Sequence, residues 1–227
     1  MPAPISVIIP TLNAAPVIAP ALDALMPGLR AGLVHELIIA DGGSSDDIAG
    51  IAGDIGARLV VTGPGRGMQL AAGAAAAGGK WLLFLHADSV LPANWPAAVE
   101  AHLRSHPGEA GYFRLAFDDS GLPARVLAGW ANLRSRLFSL PFGDQGLLVS
   151  QALYREAGGY PVIPLMEDVA IARALGGRVR MLSATVTTSA RRYRKDGWLR
   201  RSWLNFTTLA LFLASRDAET LVRRYRR

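Results

Sequence analysis

The sequence contains no cysteine among its 227 residues. This absence excludes a disulfide framework, a thiolate metal site and a cysteine nucleophile. The apolar core of the C-terminal segment, residues 203–214, is shorter than the roughly 20 residues that cross a bilayer. The opening stretch, "MPAPISVIIPTLN", has no basic segment and an early proline, which is atypical of a signal peptide. We therefore expect a cytoplasmic protein.

Acidic residues are scarce in the last part of the chain. Residues 1–177 hold 11 Lys/Arg against 15 Asp/Glu, whereas residues 178–227 hold 13 against 3. This positive field suits a nucleic acid, an anionic lipid or a phosphorylated substrate, and charge alone does not choose between them. No nucleic-acid-binding module is recognisable, so we expect no nucleic-acid partner. The size fits one domain with a substantial core.

The first hundred residues alternate between two hydrophobic periods. Continuously apolar runs, typical of strands buried on both faces, are "ISVIIP" (5–10), "ELIIAD" (36–41), "RLVVTG" (58–63) and "KWLLFLH" (80–86). Helical spacing separates them over 16–29, 46–55 and 67–77. This order predicts a doubly wound α/β sheet with right-handed crossovers. Later predicted helices are 94–105, 122–138, 151–157, 167–175 and 197–226, and later predicted strands are 111–117, 146–150 and 178–186.

Polar or glycine-rich residues follow each of the first four predicted strands. They are residues 10–13, 41–44, 63–67 and 86–88. One such residue is usually an ordinary helix cap. Four sets at one edge indicate a nucleotide site, because ligands of parallel sheets bind at the carboxyl ends of the strands. Asp88, which follows the very apolar residues 81–85, suits Mg²⁺ or Mn²⁺; the alternative is a turn cap before Leu91-Pro92.

Four segments, in order, resemble glycosyltransferase family 2, whose members have the GT-A fold. The family's first strand and P-x-x-N loop are matched by "SVIIPTLNAA", and its V-D-D-G-S-x-D-x-T segment by "ELIIADGGSSDD". Its D-x-D motif, with the preceding helix and strand, is matched by "GRGMQLAAGAAAAGGKWLLFLHADS". Its E-D motif is matched by "MEDVAIARAL". The match covers residues 5–175 and implies a Rossmann-like, mostly parallel sheet flanked by helices.

The chain is more closely similar to the selenodomain-associated transferases of this family. That subgroup carries "LHAD" in place of D-x-D and a "GDQG" segment before the E-D motif. His86 therefore stands where most members have an acid that contacts the donor ribose. A neutral imidazole can hydrogen-bond a hydroxyl or meet the metal, and a packed structural histidine is the alternative.

The resemblance implies metal-dependent, inverting transfer from a nucleotide sugar to an acceptor hydroxyl. Asp88 would bind Mg²⁺ or Mn²⁺, and Asp168 would be the general base. Glu167, Asp144 and Gln145 would lie near the acceptor or the sugar. A helix start is the alternative for Glu167-Asp168, and a glycine-rich loop for residues 143–146. The donor pocket would comprise Pro10, Thr11, Asn13, Asp41, Gly65, Arg66, Gly67, His86 and Asp88.

The last predictions concern the acceptor and the basic tail. Arg191, Arg192 and Arg194 are able to reach a diphosphate or a lipid phosphate; a solvated basic loop is the alternative. The acceptor is open between a lipid-linked alcohol, a small alcohol and another sugar. We divide the chain into a catalytic domain, 1–190, with a donor half (about 1–92) and an acceptor half (about 93–190). Residues 191–227 form a basic amphipathic helical segment suited to the inner face of a membrane.

Two other functions compete with glycosyl transfer. A dinucleotide-binding oxidoreductase is suggested by the G-x-G-x-x-L pattern of residues 65–70, with Asp88 21 residues beyond Gly67. Its third glycine is missing, and the pattern falls in the third βαβ unit. A nucleotide- or membrane-binding module without turnover is the second alternative, and loss of turnover with retained vesicle binding in an Asp168 variant would separate the two roles.

Overall fold

The computed structural model describes residues 3–163 and 165–215. Its strands are β1 (Ile5–Thr11), β2 (Val34–Asp41), β3 (Arg58–Val61), β4 (Trp81–Phe84), β5 (Ser89–Val90), β6 (Ala110–Phe117), β7 (Leu147–Ser150) and β8 (Val179–Thr188). Its helices are α1 (Ala19–Asp23), α2 (Met26–Arg30), α3 (Ile48–Asp54), α4 (Arg66–Ala76), α5 (Trp95–Ser105), α6 (Leu122–Phe138), α7 (Gln151–Glu156), α8 (Glu167–Ala174), α9 (Arg191–Asp196) and α10 (Trp198–Ser215). A 3₁₀ turn spans Gly143–Gln145.

The described strands form one sheet in the order β3-β2-β1-β4-β7-β6-β8-β5. The first four in this order are parallel, and in register Thr11 faces Asp41, Asp41 faces Val61, and Ile8 faces Phe84. The four carboxyl ends therefore meet at one edge, as the sequence predicts. The predicted strands at 58–63 and 80–86 end earlier, at Val61 and Phe84, so His86 and Asp88 stand on the loop beyond β4.

The second half of the chain completes the same sheet. β7 runs antiparallel between β4 and β6, whereas β8 is parallel to β6. The two-residue strand β5, which the sequence analysis did not predict, pairs antiparallel with β8 through Ser89 and Thr188. The predicted donor and acceptor halves thus share one continuous sheet.

Helices cover both faces of the sheet, and each face has its own core. One core holds Ile5, Val7 and Ile9 of β1 against α1, α3 and α5. The other holds Ile8 against α4, α7 and α8. Alternate β1 residues thus point into opposite layers, which explains why the consecutive residues Val7, Ile8 and Ile9 are all apolar.

Two predicted helices differ in their bounds. The predicted helix 16–29 is divided into α1 and α2, and each begins with a proline, Pro20 or Pro27, in its first turn. Proline fits the first turn but cannot donate within a helix, so it starts a new one. The predicted helix 46–55 begins at Ile48, because the Asp46 carboxylate instead accepts the Ala15 amide at 2.7 Å.

The C-terminal part packs on the sheet domain. The basic stretch 191–196, for which a loop was an alternative, is the helix α9. Tyr193 and Trp198 stack on each other, and both contact Phe117 edge-on. α10 extends from Trp198 to Ser215, and the remainder of the predicted helix, 216–226, lies outside the described residues. In the part of the chain that the structure describes, no helix is long and apolar enough to cross a membrane.

Candidate active site

Hydrogen bonds connect the loops after β1 and β2 at the carboxyl edge of the sheet. The Thr11 hydroxyl donates to Asp41 Oδ1 at 2.9 Å. The backbone N–H of Asn13 donates to Ser44 Oγ at 2.8 Å, and the side-chain Oδ1 of Asn13 accepts from the backbone N–H of Ser45 at 2.9 Å. Asn13 has a φ of 53°, a left-handed conformation that asparagine tolerates better than most residues. Pro10, whose side chain is partly buried, precedes this turn.

Asp41 is almost completely buried, with 4% of its surface exposed. Its two oxygens accept from the Thr11 and Ser44 hydroxyls and from the Gly43 and Ser44 amides. Burial raises the pKa of this carboxyl, but the hydrogen bonds outweigh it and leave the pKa below its ordinary value. Asp41 is therefore ionised and holds the shape of the turn after β2.

Gln69, on α4, is a structural contributor that the sequence analysis missed. Its buried amide donates to the carbonyl oxygens of Thr11 and Ala40, the latter at 2.9 Å. One side chain thus ties the ends of β1 and β2 to the helix above them. A glutamine inside the apolar period of residues 67–77 was the available signal, since a polar side chain on a buried helix face needs partners.

The glycines at the start of α4 have different surroundings. Gly65 has a φ of 143°, and a Cβ at this position would meet open space. Gly67 packs against the segment after Tyr160, where a Cβ would lie 2.3 Å from the Pro161 carbonyl oxygen. Gly67 therefore serves close packing of backbone on backbone. Arg66 lies between them and reaches Glu167, with Nε 3.8 Å from Oε1.

The loop after β4 meets the start of α8 at Gly143. A Cβ on Gly143 would lie 2.6 Å from His86 Nε2 and 3.6 Å from Asp168 Oδ2. The Gly143 amide donates to Asp168 Oδ2 at 2.8 Å. His86 and Asp168, 82 positions apart in the sequence, therefore converge on one glycine, and a side chain at this position would require His86 to move.

His86 is neutral in this environment. Burial, together with the positive charges of Arg66 and Arg192, lowers the pKa of His86 well below its ordinary value. A neutral imidazole keeps one nitrogen able to accept a hydrogen bond. Asp88, two residues further, is partly exposed and close enough to Asp144 for the two carboxylates to repel each other.

Asp144 is a second carboxyl of this edge whose pKa departs strongly from its ordinary value. Burial raises the pKa of Asp144 to about 6; Arg134 opposes the rise, and the Asp168 and Asp88 carboxylates add to it. Asp144 Oδ1 is buried and has no hydrogen-bond partner among the described residues. An orphaned buried oxygen next to two further carboxylates is a position that a cation or a ligand hydroxyl would satisfy.

Gln145 lies beneath the site and not in it. Its side chain is fully buried, and Oε1 accepts the Ser135 hydroxyl at 2.6 Å and the Phe142 amide at 3.2 Å. Its Nε2 donates to the Phe113 carbonyl at 3.3 Å. In this structure Gln145 fixes the loop that carries Gly143 and Asp144.

Arg134 was also missed from the sequence, where it appeared as one more helical arginine. Only 8% of its surface is exposed, its guanidinium lies 3.4 Å above the Phe142 ring, and it donates to the Leu140 carbonyl. Burial lowers its pKa, and Asp144 and Asp168 counter that shift. Arg134 thus supplies a buried positive charge behind the two acids.

Glu167 and Asp168 begin α8 in contrasting environments. Glu167 is 3% exposed, and burial with the adjacent Asp168 charge raises its pKa to about 7, against the opposing effect of Arg66. Asp168 is partly exposed and accepts its second amide hydrogen bond from Val169 at 2.8 Å. Met166, just before them, has a φ of 65° and turns the chain into the helix.

The structure separates the three arginines of α9. Arg194 pairs with Asp118 at 3.2 Å and with Asp119 at 3.4 Å, at the far end of β6. Arg192 is exposed and near enough to His86 to lower its pKa. Arg191 is exposed. Of the predicted phosphate ligands, Arg192 alone has a described electrostatic link to the site.

The residues present fit a divalent cation that a ligand would complete. Among the described residues, no group of three or more His, Asp or Glu side chains has the geometry of a closed metal site. Mg²⁺ usually takes one or two protein carboxylates and fills its remaining positions with phosphate oxygens and water. Asp88, with Asp144 and its orphaned oxygen nearby, meets that requirement.

The chain is similar to known proteins in sequence and in structure. A PGL/p-HBAD biosynthesis glycosyltransferase of Mycobacterium bovis is 41% identical over 109 residues, which cover 44% of this chain and 42% of that protein. The chain therefore spans less than half of the length of this relative.

Two solved structures share the fold. Glucosyl-3-phosphoglycerate synthase from Mycobacterium tuberculosis, in complex with Mn²⁺, UDP and glucosyl-3-phosphoglycerate, superposes with a TM-score of 0.55 and 25% identity, over 82% of this chain and 70% of that chain. S. aureus TarS 1–349 in complex with UDP-GlcNAc gives a TM-score of 0.63 and 16% identity, over 82% and 58%. The predicted GT-A-type fold class is confirmed, whereas the selenodomain-associated subgroup stays a prediction. The model of the glycosyl transferase family 2 matches residues 6–148, and the chain belongs to that family.

Proposed function

We propose that this protein transfers a glycosyl group from a nucleotide sugar to an acceptor hydroxyl, with a divalent metal and inversion at the anomeric carbon. The observation that carries the proposal is the convergence of His86 and Asp168 on Gly143, with Asp88 and Asp144 beside them. These groups come from three parts of the chain and meet at the carboxyl edge of the sheet. Family membership and the UDP bound by the synthase from M. tuberculosis support the donor class.

Asp168 is assigned the role of general base. Its carboxylate is partly exposed, and the amides of Gly143 and Val169 fix its orientation while leaving further lone pairs free. It would take the proton from the acceptor hydroxyl as the oxygen attacks the anomeric carbon from the side opposite the leaving diphosphate. A single displacement of this kind inverts the configuration.

The donor would lie over the ends of β1, β2 and β4. The Thr11-Asp41-Ser44 hydrogen bonds and Asn13 give this edge a fixed shape before the ligand arrives, which lowers the cost of ordering the site. Neutral His86 and positively charged Arg66 would face the ribose and the diphosphate. Gly65, in open space, lets the backbone approach the nucleoside.

Asp88, together with Asp144, would hold Mg²⁺ or Mn²⁺ on the diphosphate. When bound, the metal neutralises charge that builds up on the leaving nucleoside diphosphate. The protein itself adds positive charge through Arg66. The buried Arg134 favours the ionised form of Asp144, because its positive charge opposes the rise in the pKa of that carboxyl. Glu167, whose carboxyl is about half protonated at pH 7, would accept a hydrogen bond from the acceptor or the sugar, or donate one to it.

Thermal unfolding with a panel of nucleotides and nucleotide sugars, with and without Mn²⁺, tests the donor site. A ligand at 100 times its Kd stabilises the folded state by about 2.7 kcal/mol, which raises Tm by several degrees. We expect a metal-dependent rise with one nucleoside diphosphate, lost in Asp88→Ala. Asp54→Ala, an exposed acid at the end of α3, is the matched control and keeps the rise. No rise with any nucleotide would refute the donor assignment.

The oxidoreductase alternative loses its main support in the structure. Gly67, the second glycine of its pattern, is occupied by packing against Pro161 and Ile163, so a pyrophosphate has no access there. Its test is the same panel, in which a rise with a nicotinamide dinucleotide alone would revive it. The binding-module alternative predicts nucleotide binding without product, and a radiolabelled or mass-spectrometric transfer assay decides that point.

A further inference from the structure

Helices α6 and α10 both expose a row of large apolar side chains to solvent. On α6 the row recurs every three or four residues and is 47% to 71% exposed; on α10 a similar row is 41% to 88% exposed. Such spacing puts each row on one side of its helix. The rows comprise Leu122, Val126, Trp130, Leu133 and Leu137 on α6, and Leu199, Trp203, Phe206 and Leu213 on α10, and we name them together the α6/α10 surface.

The two helices are neighbours that run in the same direction. α6 follows the end of β6, and α10 begins with Trp198, which packs 5.7 Å from Phe117 at that same strand end. At the other end, Phe212 of α10 packs in one cluster with Met166 and Val169, which Phe142 and Leu140 join after α6. The helices also contact each other directly. The two helices therefore lie side by side, each with its apolar row exposed, and an exposed apolar area of this kind marks an interaction site.

The charge around the α6/α10 surface is predominantly positive, because the two acids that precede α6, Asp118 and Asp119, are paired with Arg194. Neither α6 nor α10 contains an acidic residue, and the one acid of α9, Asp196, pairs with Arg201 at 3.5 Å. The exposed cations are Arg125 and Arg136 on α6, Arg191, Arg192 and Lys195 on α9, and Arg200 on α10. None of these six has an acid within 4 Å among the described residues. The occupant must therefore offer apolar contact and negative charge together.

A second copy of the chain is a poor match. In a two-fold dimer the same surface meets itself, so the arginines of both copies would approach one another without acids to balance them. An anionic bilayer offers acyl chains to the apolar rows and phosphate groups to the flanking arginines. We propose that the α6/α10 surface binds the face of an anionic lipid bilayer.

The α6/α10 surface lies next to the candidate active site. The cluster of Phe142, Met166 and Phe212 that joins the ends of α6 and α10 adjoins Gly143 and Asp168. The bilayer would thus lie beside the base, so an acceptor alcohol on a lipid could reach Asp168 without leaving the membrane. That last step rests on the proposed transferase function, whereas the binding itself does not.

Flotation of the 227-residue chain with vesicles tests the binding. We expect the wild type to float with vesicles of phosphatidylcholine containing about a third phosphatidylglycerol and to bind phosphatidylcholine alone far more weakly. Trp203→Asp and Trp130→Asp should each weaken binding by about tenfold or more, because a half-inserted aromatic side chain is replaced by a charge. Arg200→Gln should weaken it about fivefold. Ile55, which follows α3 and is 46% exposed, lies outside the α6/α10 surface. Ile55→Asp is therefore the matched control and should bind as the wild type does.

Two further readouts keep the test decisive. The variants change exposed residues, so their Tm should stay near that of the wild type. Vesicles should shift the fluorescence emission of the wild type to the blue, and this shift should disappear when Trp130→Phe and Trp203→Phe are combined. Asp168→Asn should float normally even where turnover is lost, which separates this proposal from the proposed function. Absence of binding to anionic vesicles, equal binding by all variants, or a dimer in solution that Trp203→Asp dissociates would overturn it.

Discussion

At the scale of single residues, Glu167 and Asp168 show how neighbours in sequence acquire different chemistry. Glu167 is buried beside Arg66, and its pKa is raised to about 7, whereas Asp168 is partly exposed and oriented by two amides. Environments that separate two carboxyls in this way are typical of acid and base assignments in active sites. The sequence motif identifies the pair, but the difference in burial leaves Asp168, and not Glu167, accessible to the proposed acceptor.

Asp168→Asn tests the base directly. The amide preserves the shape of the side chain but cannot take a proton, so we expect kcat to fall by about 10²- to 10⁴-fold while donor Kd changes little. Steady-state transfer assays with parallel nucleotide-binding measurements check this. Asp54→Asn serves as the control, and a fall in donor affinity as large as the fall in kcat would contradict the assignment.

Glu167→Gln tests the buried acid through pH. A carboxyl whose folded-state pKa is raised binds its proton more tightly in the folded state, so it stabilises fully below about 4.5 and that contribution is lost as pH rises through about 7. The wild type should therefore lose Tm between pH 5 and pH 7.5 more steeply than Glu167→Gln. Thermal unfolding of both proteins across this range gives the answer, and parallel curves would show that Glu167 does not titrate in this window.

At the scale of elements, α4 holds together the ends of β1 and β2, over which the donor is proposed to lie. Gln69→Leu keeps the size of the side chain but leaves the Thr11 and Ala40 carbonyls without their partner, which costs about 1–3 kcal/mol and lowers Tm by about 3–10 °C. Because those carbonyls shape the donor edge, nucleotide affinity should fall as well. Gln151→Leu removes a comparable bond, to the Ala77 carbonyl, away from the site. It should lower Tm without changing nucleotide affinity, and an equal effect of both variants on affinity would contradict this role.

Elements with a strong local pattern were predictable from the sequence, and those set by distant partners were not. Strand β1 is apolar apart from Ser6 and Thr11, so its assignment as a buried strand of a parallel sheet follows from the residues alone. Strand β5 has only Ser89 and Val90, and it exists because β8, about a hundred residues later, pairs with it. The division of the helix at 16–29 was available from Pro20 and Pro27, but the helical spacing outweighed them in our prediction.

The candidate site divides in a similar way. The positions of Asp88 and Asp168 at strand and helix ends followed from the order of motifs. The burial of Gln145 did not, because its partners Ser135 and Phe113 lie on other elements and a G-D-Q-G stretch is equally typical of an exposed loop. Residues 191–227 were predicted to form an amphipathic helical segment, which puts the apolar residues of α10 on one side of the helix. In the structure they divide, with Phe212 buried and Trp203, Phe206 and Leu213 exposed.

At the scale of the whole molecule, the boundary predicted at residue 190 can be tested by truncation. Trp198 and Tyr193 cover Phe117, and Phe212 covers Met166 and Val169, so a chain that ends at residue 190 exposes apolar core. We expect it to unfold at a clearly lower temperature than the full chain and to aggregate more readily. Calorimetry of the two chains checks this, and an unchanged Tm would show that residues 191–227 are an independent segment.

The position of β7 governs when the protein can fold during its synthesis. Strands β1 to β4 are complete once residue 84 has been made, but the free edge of β4 is covered only by residues 147–150. At a synthesis rate of about 5–20 residues per second, β4 remains without its partner strand for roughly 3–12 s. An uncovered strand edge of Trp, Leu and Phe is a template for pairing with other chains. The nascent chain therefore has a defined interval in which a chaperone is of most use to it, and the interval closes when β7 leaves the ribosome.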